Sequence, residues 1–308
     1  MSEEHPNSHH PSPITHHSFP GWSPAFGAAL ERLSIAVRRP ARGQHPGSVR
    51  SRARGRALEF ADYRAYTPGD DPKLVDWRAY ARLGRLYLKQ YEEERSRTIT
   101  LLVDSSASMD WGEGDAHKGL YARRLAAGLA WIGASRHELV QGYLLREGVA
   151  SPLPPVSTRA ATVLAFRELG AVRESGRTML ADGVRRIAPS LARGPVILLT
   201  DLLDPSWSAA LETLAPSGEA VALQLLAPDE WEPPLGEEVE LVDAESGEPR
   251  RTRLGPIELA AYRQRLRSFL AEAGSQCRRL GIVHVALNTG TPLQDTVLRQ
   301  LTAARVLE

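Results

Sequence analysis

The sequence predicts an α/β protein built on a doubly wound, mostly parallel sheet with an amino-terminal extension. Three observations carry that expectation. Thr98–Asp104 (TITLLVD) and Val196–Asp201 (VILLTD) are unbroken runs of leucine and β-branched residues, the pattern of strands buried on both faces of a parallel sheet. Around them, helix-length amphipathic stretches alternate with further apolar, strand-length runs. The residues before Thr98 do not follow that alternation and carry a different charge balance, a surplus of basic side chains that becomes a deficit afterwards.

Residues 1–21, with His5, His9, His10, His16 and His17 set among Pro, Ser and Asn, have no apolar periodicity and read as a disordered tail. Residues 22–97 are grouped as one extension. Pro24 to Val37 has the apolar spacing of an amphipathic helix. Seven arginines (Arg38, Arg39, Arg42, Arg50, Arg52, Arg54 and Arg56) then fall in an acid-free loop rich in Gly, Ser and Pro. An extended block follows, whose Pro68-Gly69-Asp70-Asp71-Pro72 centre demands a tight turn. Beyond it, Leu86, Leu88 and Gln90 alternate with Tyr87, Lys89 and Tyr91 as in a strand.

Residues 98–308 are expected to form the α/β domain. After the first buried strand come a helix over Ala116–Ser135, a strand over Leu139–Arg146 with a turn at Glu147-Gly148, and helices over Thr158–Leu169 and Met179–Leu191. The second buried strand is followed by a helix over Ser206–Leu214, a strand from Ala220, a hairpin through Asp243–Glu248, a helix over Pro256–Leu280, a strand from Ile282, and a helix over Pro292–Arg305. Ligands of such sheets bind off the carboxyl ends of the strands near the switch point, so the tips of TITLLVD and VILLTD are the place to look.

Composition narrows the function. The chain has 308 residues, 42% hydrophobic and 24% charged, with a net charge of +1, so no whole-molecule field recruits nucleic acid or an anionic membrane. A single cysteine, Cys277, rules out a disulfide framework or a multi-thiolate zinc site and fits a reducing, cytoplasmic setting. No run approaches the roughly 18 apolar residues of a membrane-spanning helix. The arginine-rich loop 38–56 keeps nucleic-acid binding as an alternative, but the chain uses arginine throughout and has only three lysines, which favours a solvated loop.

The two strand tips are rich in oxygen. The first runs into Asp104-Ser105-Ser106-Ala107-Ser108, a DxSxS sequence, the second ends in Thr200-Asp201, and the loop Ser175-Gly176-Arg177-Thr178 adds another hydroxyl just before a helix. Two carboxylates and three hydroxyls suit a hard cation, Mg²⁺ or Mn²⁺, better than zinc. Hydroxyl ligands contribute no charge, so an ion held by them stays electron-poor and accepts a further anionic oxygen from outside. Each residue also has a local reading: Ser106 or Ser108 as a helix cap, Thr178 likewise, and Asp201 as a turn former.

Asp104, Ser106, Ser108, Thr178 and Asp201 together resemble the metal-ion-dependent adhesion site of von Willebrand factor A domains. The upstream segment EFADYRAYTPGDDPKLVDWRAYARLGRLYLKQYEEE, with ELVDAESGE and GIVHVALNT further on, is similar to the bacterial family called domain of unknown function 58. The resemblance implies a von Willebrand factor A-like, Rossmann-like fold over roughly residues 30–305. It also implies a divalent cation held by those five residues, and work with a MoxR-type AAA+ ATPase in assembling or activating a client protein. Two positions depart from the adhesion-site pattern: Leu202 follows Asp201 where glycine is common, and Arg177 stands beside Thr178.

Enzyme signatures are missing. Ser106 occupies the place where an aspartyl phosphatase needs its second acid, and there is no P-loop, no dinucleotide fingerprint and no GxSxG elbow. The chain is therefore read as non-catalytic, with a divalent-metal hydrolase as a further alternative. Asp70, Asp71 and Asp76, close in sequence to Arg78 and Arg82, form either a turn stabilised by caps and ion pairs or a partner-docking epitope.

Overall fold

The computed structural model describes residues 22–37, 58–66, 75–93, 97–192, 194–233, 236–242 and 249–308. The expected tail 1–21, the arginine-rich loop 38–56, Asp70, Asp71 and the hairpin tip Asp243–Glu248 lie outside them. The chain divides into two compact units, one of residues up to Arg42 with Arg97–Glu308, the other Gly43–Ser96.

In chain order the elements are α1 (Pro24–Leu30), β1 (Leu58–Ala65), α2 (Trp77–Leu83), β2 (Tyr87–Glu93), β3 (Thr98–Asp104), α3 (Lys118–Ser135), β4 (Leu139–Arg146) and β5 (Val149–Pro152). They continue with α4 (Arg159–Ala171), α5 (Leu180–Ile187), β6 (Val196–Thr200), α6 (Trp207–Leu214), β7 (Ala220–Leu226) and α7 (Pro228–Trp231). The last are β8 (Gly236–Val242), β9 (Pro249–Leu254), α8 (Pro256–Leu280), β10 (Val283–Asn288) and a short helical segment from Leu293 that widens into a π-turn over Thr296–Leu301.

In the larger unit six strands lie in the order β10-β7-β6-β3-β4-β5. All neighbours are parallel except β5, which returns antiparallel on β4. This is a doubly wound order with an antiparallel edge strand, and its switch point falls between β3 and β6. The central strands alternate strictly. Ile99, Leu101 and Val103 join Ile197, Leu199, Val221 and Leu223 in one core with α1, α3 and α4, whereas Leu102, Val196, Leu198 and Ala222 face the other core with α5, α6 and α8. Both faces are covered, which is why these strands read as unbroken apolar runs.

Helix α3 lies close on the sheet. A β-carbon at Gly133 would stand 2.6 Å from Val140 Cγ2 and 2.8 Å from Ile99 Cδ1, so the Ala/Gly-rich sequence of this helix is a condition of its packing. Its end at Lys118 reaches the carboxyl ends of the strands.

The amino-terminal helix differs from expectation. It ends at Leu30, because residues 34–36 pair with the chain's last residues: Ser34 N donates to Glu308 O at 2.8 Å and Ala36 N to Val306 O at 2.9 Å. Trp22, Phe26 and Leu30 are buried in the core beside α3, so this helix belongs with the sheet unit rather than with the extension 22–97 to which the sequence assigned it. Arg97 fastens the same segment, donating to Ile35 O at 2.7 Å and Val37 O at 3.3 Å.

The smaller unit contains an antiparallel pair, β1 on β2, with Leu58 opposite Glu93 and Ala65 opposite Tyr87. Helix α2 precedes β2, and Trp77 meets Tyr80 edge-on at 6.2 Å between ring centres. In the larger unit, β8 and β9 form a separate antiparallel pair, in agreement with the expected hairpin.

Candidate metal centre

Three loops leave the carboxyl ends of the sheet around the switch point. The first follows β3. Asp104 is buried, and its Oδ1 accepts from Ser106 N at 3.0 Å and from Ser106 Oγ at 2.7 Å. Ser106 Oγ lies 3.1 Å from Ser108 Oγ. Since the single Ser106 proton is committed to Asp104, Ser108 is the donor in that contact, giving a chain Ser108 to Ser106 to Asp104. Ser106 flanks a 3₁₀ turn over Ala107–Met109 without capping it through its side chain. The local reading of Ser106 as a helix cap is therefore set aside: its hydroxyl, like that of Ser108, is turned to the oxygen cluster and not to a backbone amide. Ser108, half-buried, is the end of the chain nearest solvent.

The second loop carries Thr178. It is tied to the first by two backbone bonds, Ala107 N to Gly176 O at 2.9 Å and Ser175 N to Ser105 O at 3.1 Å. Gly176 takes φ +73° to make this turn, and a β-carbon there would meet the Glu147 side chain. Thr178 is buried while Arg177 is exposed, so the arginine beside the expected ligand is directed outward.

The third loop follows β6. Thr200 Oγ1 donates to Asp104 Oδ2 at 2.7 Å, and Leu203 N donates to Asp201 Oδ1 at 3.0 Å. Leu202 adopts φ +60° and is fully buried in the core shared with α5 and α6, so the bulky residue after Asp201 packs inward. Left-handed backbone at a leucine costs on the order of 1–3 kcal/mol, and such strain clusters at functional loops. Met179, beside Thr178, is likewise left-handed at φ +42°.

Charge at the centre is unevenly balanced. Burial, with the Asp201 carboxylate second, pushes the Asp104 carboxyl up to about 7, although the Ser106 and Thr200 bonds work the other way. Two carboxylates in a dry site oppose one another's ionisation, and a cation between them removes that opposition. On the far side of Asp201, Lys118 Nζ donates to Asp201 Oδ2 at 3.0 Å and to Glu230 Oε1 at 2.7 Å. Burial lowers the proton affinity of this amine, but Asp201 and Glu230 more than offset it and hold the ammonium above its ordinary range. Gln224 anchors the loop from below, donating to Asp201 O at 3.1 Å while its Oε1 lies 3.0 Å from His284 Nε2. His284 is thus a structural group within the sheet.

Of the expected ligands, Asp104, Ser106 and Ser108 form one hydrogen-bonded chain, Asp201 lies within electrostatic reach of Asp104, and Thr178 sits on the loop laced to Ser105 and Ala107. These oxygen donors fit a hard divalent ion. Sequence reasoning missed Lys118, Thr200, Gln224 and Glu230. Only Lys118 left a trace: one of three lysines, it opens helix α3 at the end where the helix dipole disfavours a cation.

A second set, Asp110, His117 and Glu174, places its ligand atoms within 4.8 Å of one another. It does not fit a metal. His117 Nδ1 accepts from Leu120 N at 3.2 Å as the cap of α3, which leaves the neutral ring's proton on Nε2, facing Asp110 Oδ1 at 2.9 Å. Glu174 is paired with Arg123.

In the smaller unit, Asp76 is buried, accepts from Ala79 N at 3.2 Å in the first turn of α2, and donates through its amide to Tyr87 O at 2.9 Å. Arg78 and Arg82 lie on α2, Arg82 exposed.

A doubly wound sheet carrying an oxygen-donor cluster at its switch point is the class that fold and site define. The chain belongs to the family described as protein of unknown function DUF58, whose profile matches residues 62–273. It is 26% identical over 290 residues to uncharacterised proteins of Mycobacterium bovis and Mycobacterium tuberculosis, covering 92% of this chain and 90% of theirs. Among solved structures, the SpRpn10 VWA domain aligns at TM-score 0.37 and 10% identity, covering 65% of this chain and 93% of that one. An uncharacterised membrane-spanning protein from Vibrio fischeri aligns at TM-score 0.24 and 12% identity, covering 67% and 98%. Among the described residues of this chain, no helix is long and apolar enough to cross a membrane.

Proposed function

We propose that this chain is a non-catalytic, divalent-cation-dependent protein-interaction module. Asp104, Ser106, Ser108 and Thr178 would hold Mg²⁺ or Mn²⁺, with Asp201 as an outer contact, and the ion would grip a carboxylate of a partner. The observation that carries this reading is the hydroxyl chain from Ser108 through Ser106 to Asp104, held on a buried carboxylate that a second carboxylate, Asp201, opposes. The bound ion supplies one thing, a positive centre with room for an anionic oxygen. The protein's part is to keep the neutral hydroxyls aimed, Asp104 oriented through Thr200, and the loops joined.

The surroundings favour a protein as the partner. Each of the three loops exposes one large apolar side chain: Trp111 at 43%, Met179 at 45% and Leu203 at 50%. An acidic residue flanked by apolar ones is the ligand chemistry that such a rim and such an ion would recognise together. The family resemblance adds the expected assembly, a MoxR-type AAA+ ATPase with a client protein.

The experiment is co-purification of the chain with a MoxR-type AAA+ ATPase in Mg²⁺ and in chelator. Retention in Mg²⁺ that is lost in chelator and in the Ser106→Ala, Ser108→Ala pair is the expected result. Retention indifferent to both changes would refute the metal-dependent grip.

A further inference from the structure

The Lys118 ammonium is a buried cation placed directly on one of the expected ligands, Asp201. Its side chain is 1% exposed, Asp201 is 0% exposed, and no bulk water screens the 3.0 Å contact between them. It stands at the first residue of α3, where the helix end carries partial positive charge, so two carboxylates rather than local preference keep it there. Glu230 is itself fixed: its Oε2 accepts from Ala227 N at 2.7 Å, and its carbonyl accepts from Tyr262 OH at 2.6 Å. The ammonium is therefore shared between a rigid carboxylate on α7 and the carboxylate of the metal loop.

Resting on the reading that a divalent ion binds at Asp104, we propose that Lys118 is a built-in counter-cation that restrains Asp201 from direct ligation and sets the affinity of the site. Both oxygens of Asp201 are engaged, Oδ2 by Lys118 and Oδ1 by Leu203 N. A divalent ion approaching Oδ2 meets the ammonium at hydrogen-bonding range from the same oxygen, and like charges so close in a dry site repel strongly. Asp201 then serves through water. The ion keeps fewer charged ligands, which leaves it weakly held in isolation and avid for a partner's carboxylate. Glu230 tunes the device: the more of the ammonium it takes, the freer Asp201 becomes.

The test is Mn²⁺ binding by the full chain, read as free Mn²⁺ by electron paramagnetic resonance, in wild type, Glu230→Gln, and the double variant Lys118→Met with Glu230→Gln. The double variant removes the pair as a unit and keeps the net charge of wild type. Glu230→Gln, which leaves Lys118 to Asp201 alone, is expected to bind about tenfold more weakly, and the double variant about tenfold more tightly, the scale on which neighbours of metal ligands act. Should the double variant fail to fold by circular dichroism, Glu230→Gln decides: weaker binding supports the proposal and unchanged binding overturns it. Mn²⁺ binding equal in all three proteins and lost in Ser106→Ala, Ser108→Ala overturns the role of Lys118 while leaving the metal centre standing. Absence of Mn²⁺ binding in every protein, wild type included, overturns both.

Discussion

Thr200 Oγ1 donates to Asp104 Oδ2 across 2.7 Å, joining the tips of two neighbouring parallel strands through residues 96 positions apart in the chain. The same oxygen accepts from Leu202 N at 3.2 Å, so one hydroxyl orients the buried carboxylate and holds the left-handed turn that follows β6. Thr200→Val keeps the shape and removes both bonds. Leaving a buried acceptor and a buried amide without this partner is expected to cost about 1–3 kcal/mol. Urea denaturation reads this directly, and an unchanged midpoint would mean that the hydroxyl is energetically idle.

The metal-free protein should lose stability as pH rises through neutrality. Burial and then Asp201 raise the Asp104 carboxyl from 3.8 in its ordinary state to about 7 in the fold. A group whose folded value is raised contributes its stability in full below the ordinary value and loses it as pH climbs through the folded one. In chelator, unfolding midpoints at about pH 5 should therefore exceed those at about pH 8, and Asp104→Asn should flatten the difference. A wild-type profile already flat over that window would contradict the placement of the two carboxylates.

Cys277 is buried on α8, and burial pushes its thiol up to about 12 despite the opposing charge of Arg278. The thiolate is the reactive form, so the folded protein should resist iodoacetamide and react only once unfolded. Rapid alkylation of the native chain would show that α8 does not stay packed on the sheet.

Phe26 is 2% exposed, meets Trp22 edge-on at 5.5 Å between ring centres, and through it reaches Trp131 at 6.0 Å from Trp22. Truncation to alanine should cost about 3–5 kcal/mol, the range for a large core side chain. A thermal midpoint that hardly moves in Phe26→Ala would place α1 off the sheet unit.

How much of this was legible in the sequence depends on the range of the interaction. Buried strands such as Thr98–Asp104 and Val196–Thr200 announce themselves because coverage on both faces favours leucine and β-branched residues in succession rather than alternation. Pro256–Leu280 could be delimited because proline opens it and Gly281, in the left-handed region, closes it. The end of α1 could not be read, since residues 34–36 leave the helix to pair with the far end of the chain. At the centre, the DxSxS spacing is local and visible, while Lys118, Glu230 and Thr200 act through contacts that only the fold creates: Lys118–Asp201 spans 83 positions, Thr200–Asp104 96 and Lys118–Glu230 112. Residues that tune a carboxylate by proximity leave no spacing to recognise.

Calorimetric titration of Mg²⁺ and of Mn²⁺ into wild type and into Ser106→Ala, Ser108→Ala most directly decides whether oxygen atoms from three loops hold a cation. Saturable binding in wild type that disappears in the hydroxyl-free pair is the expected result. Identical heats in both proteins, or none in either, would contradict it.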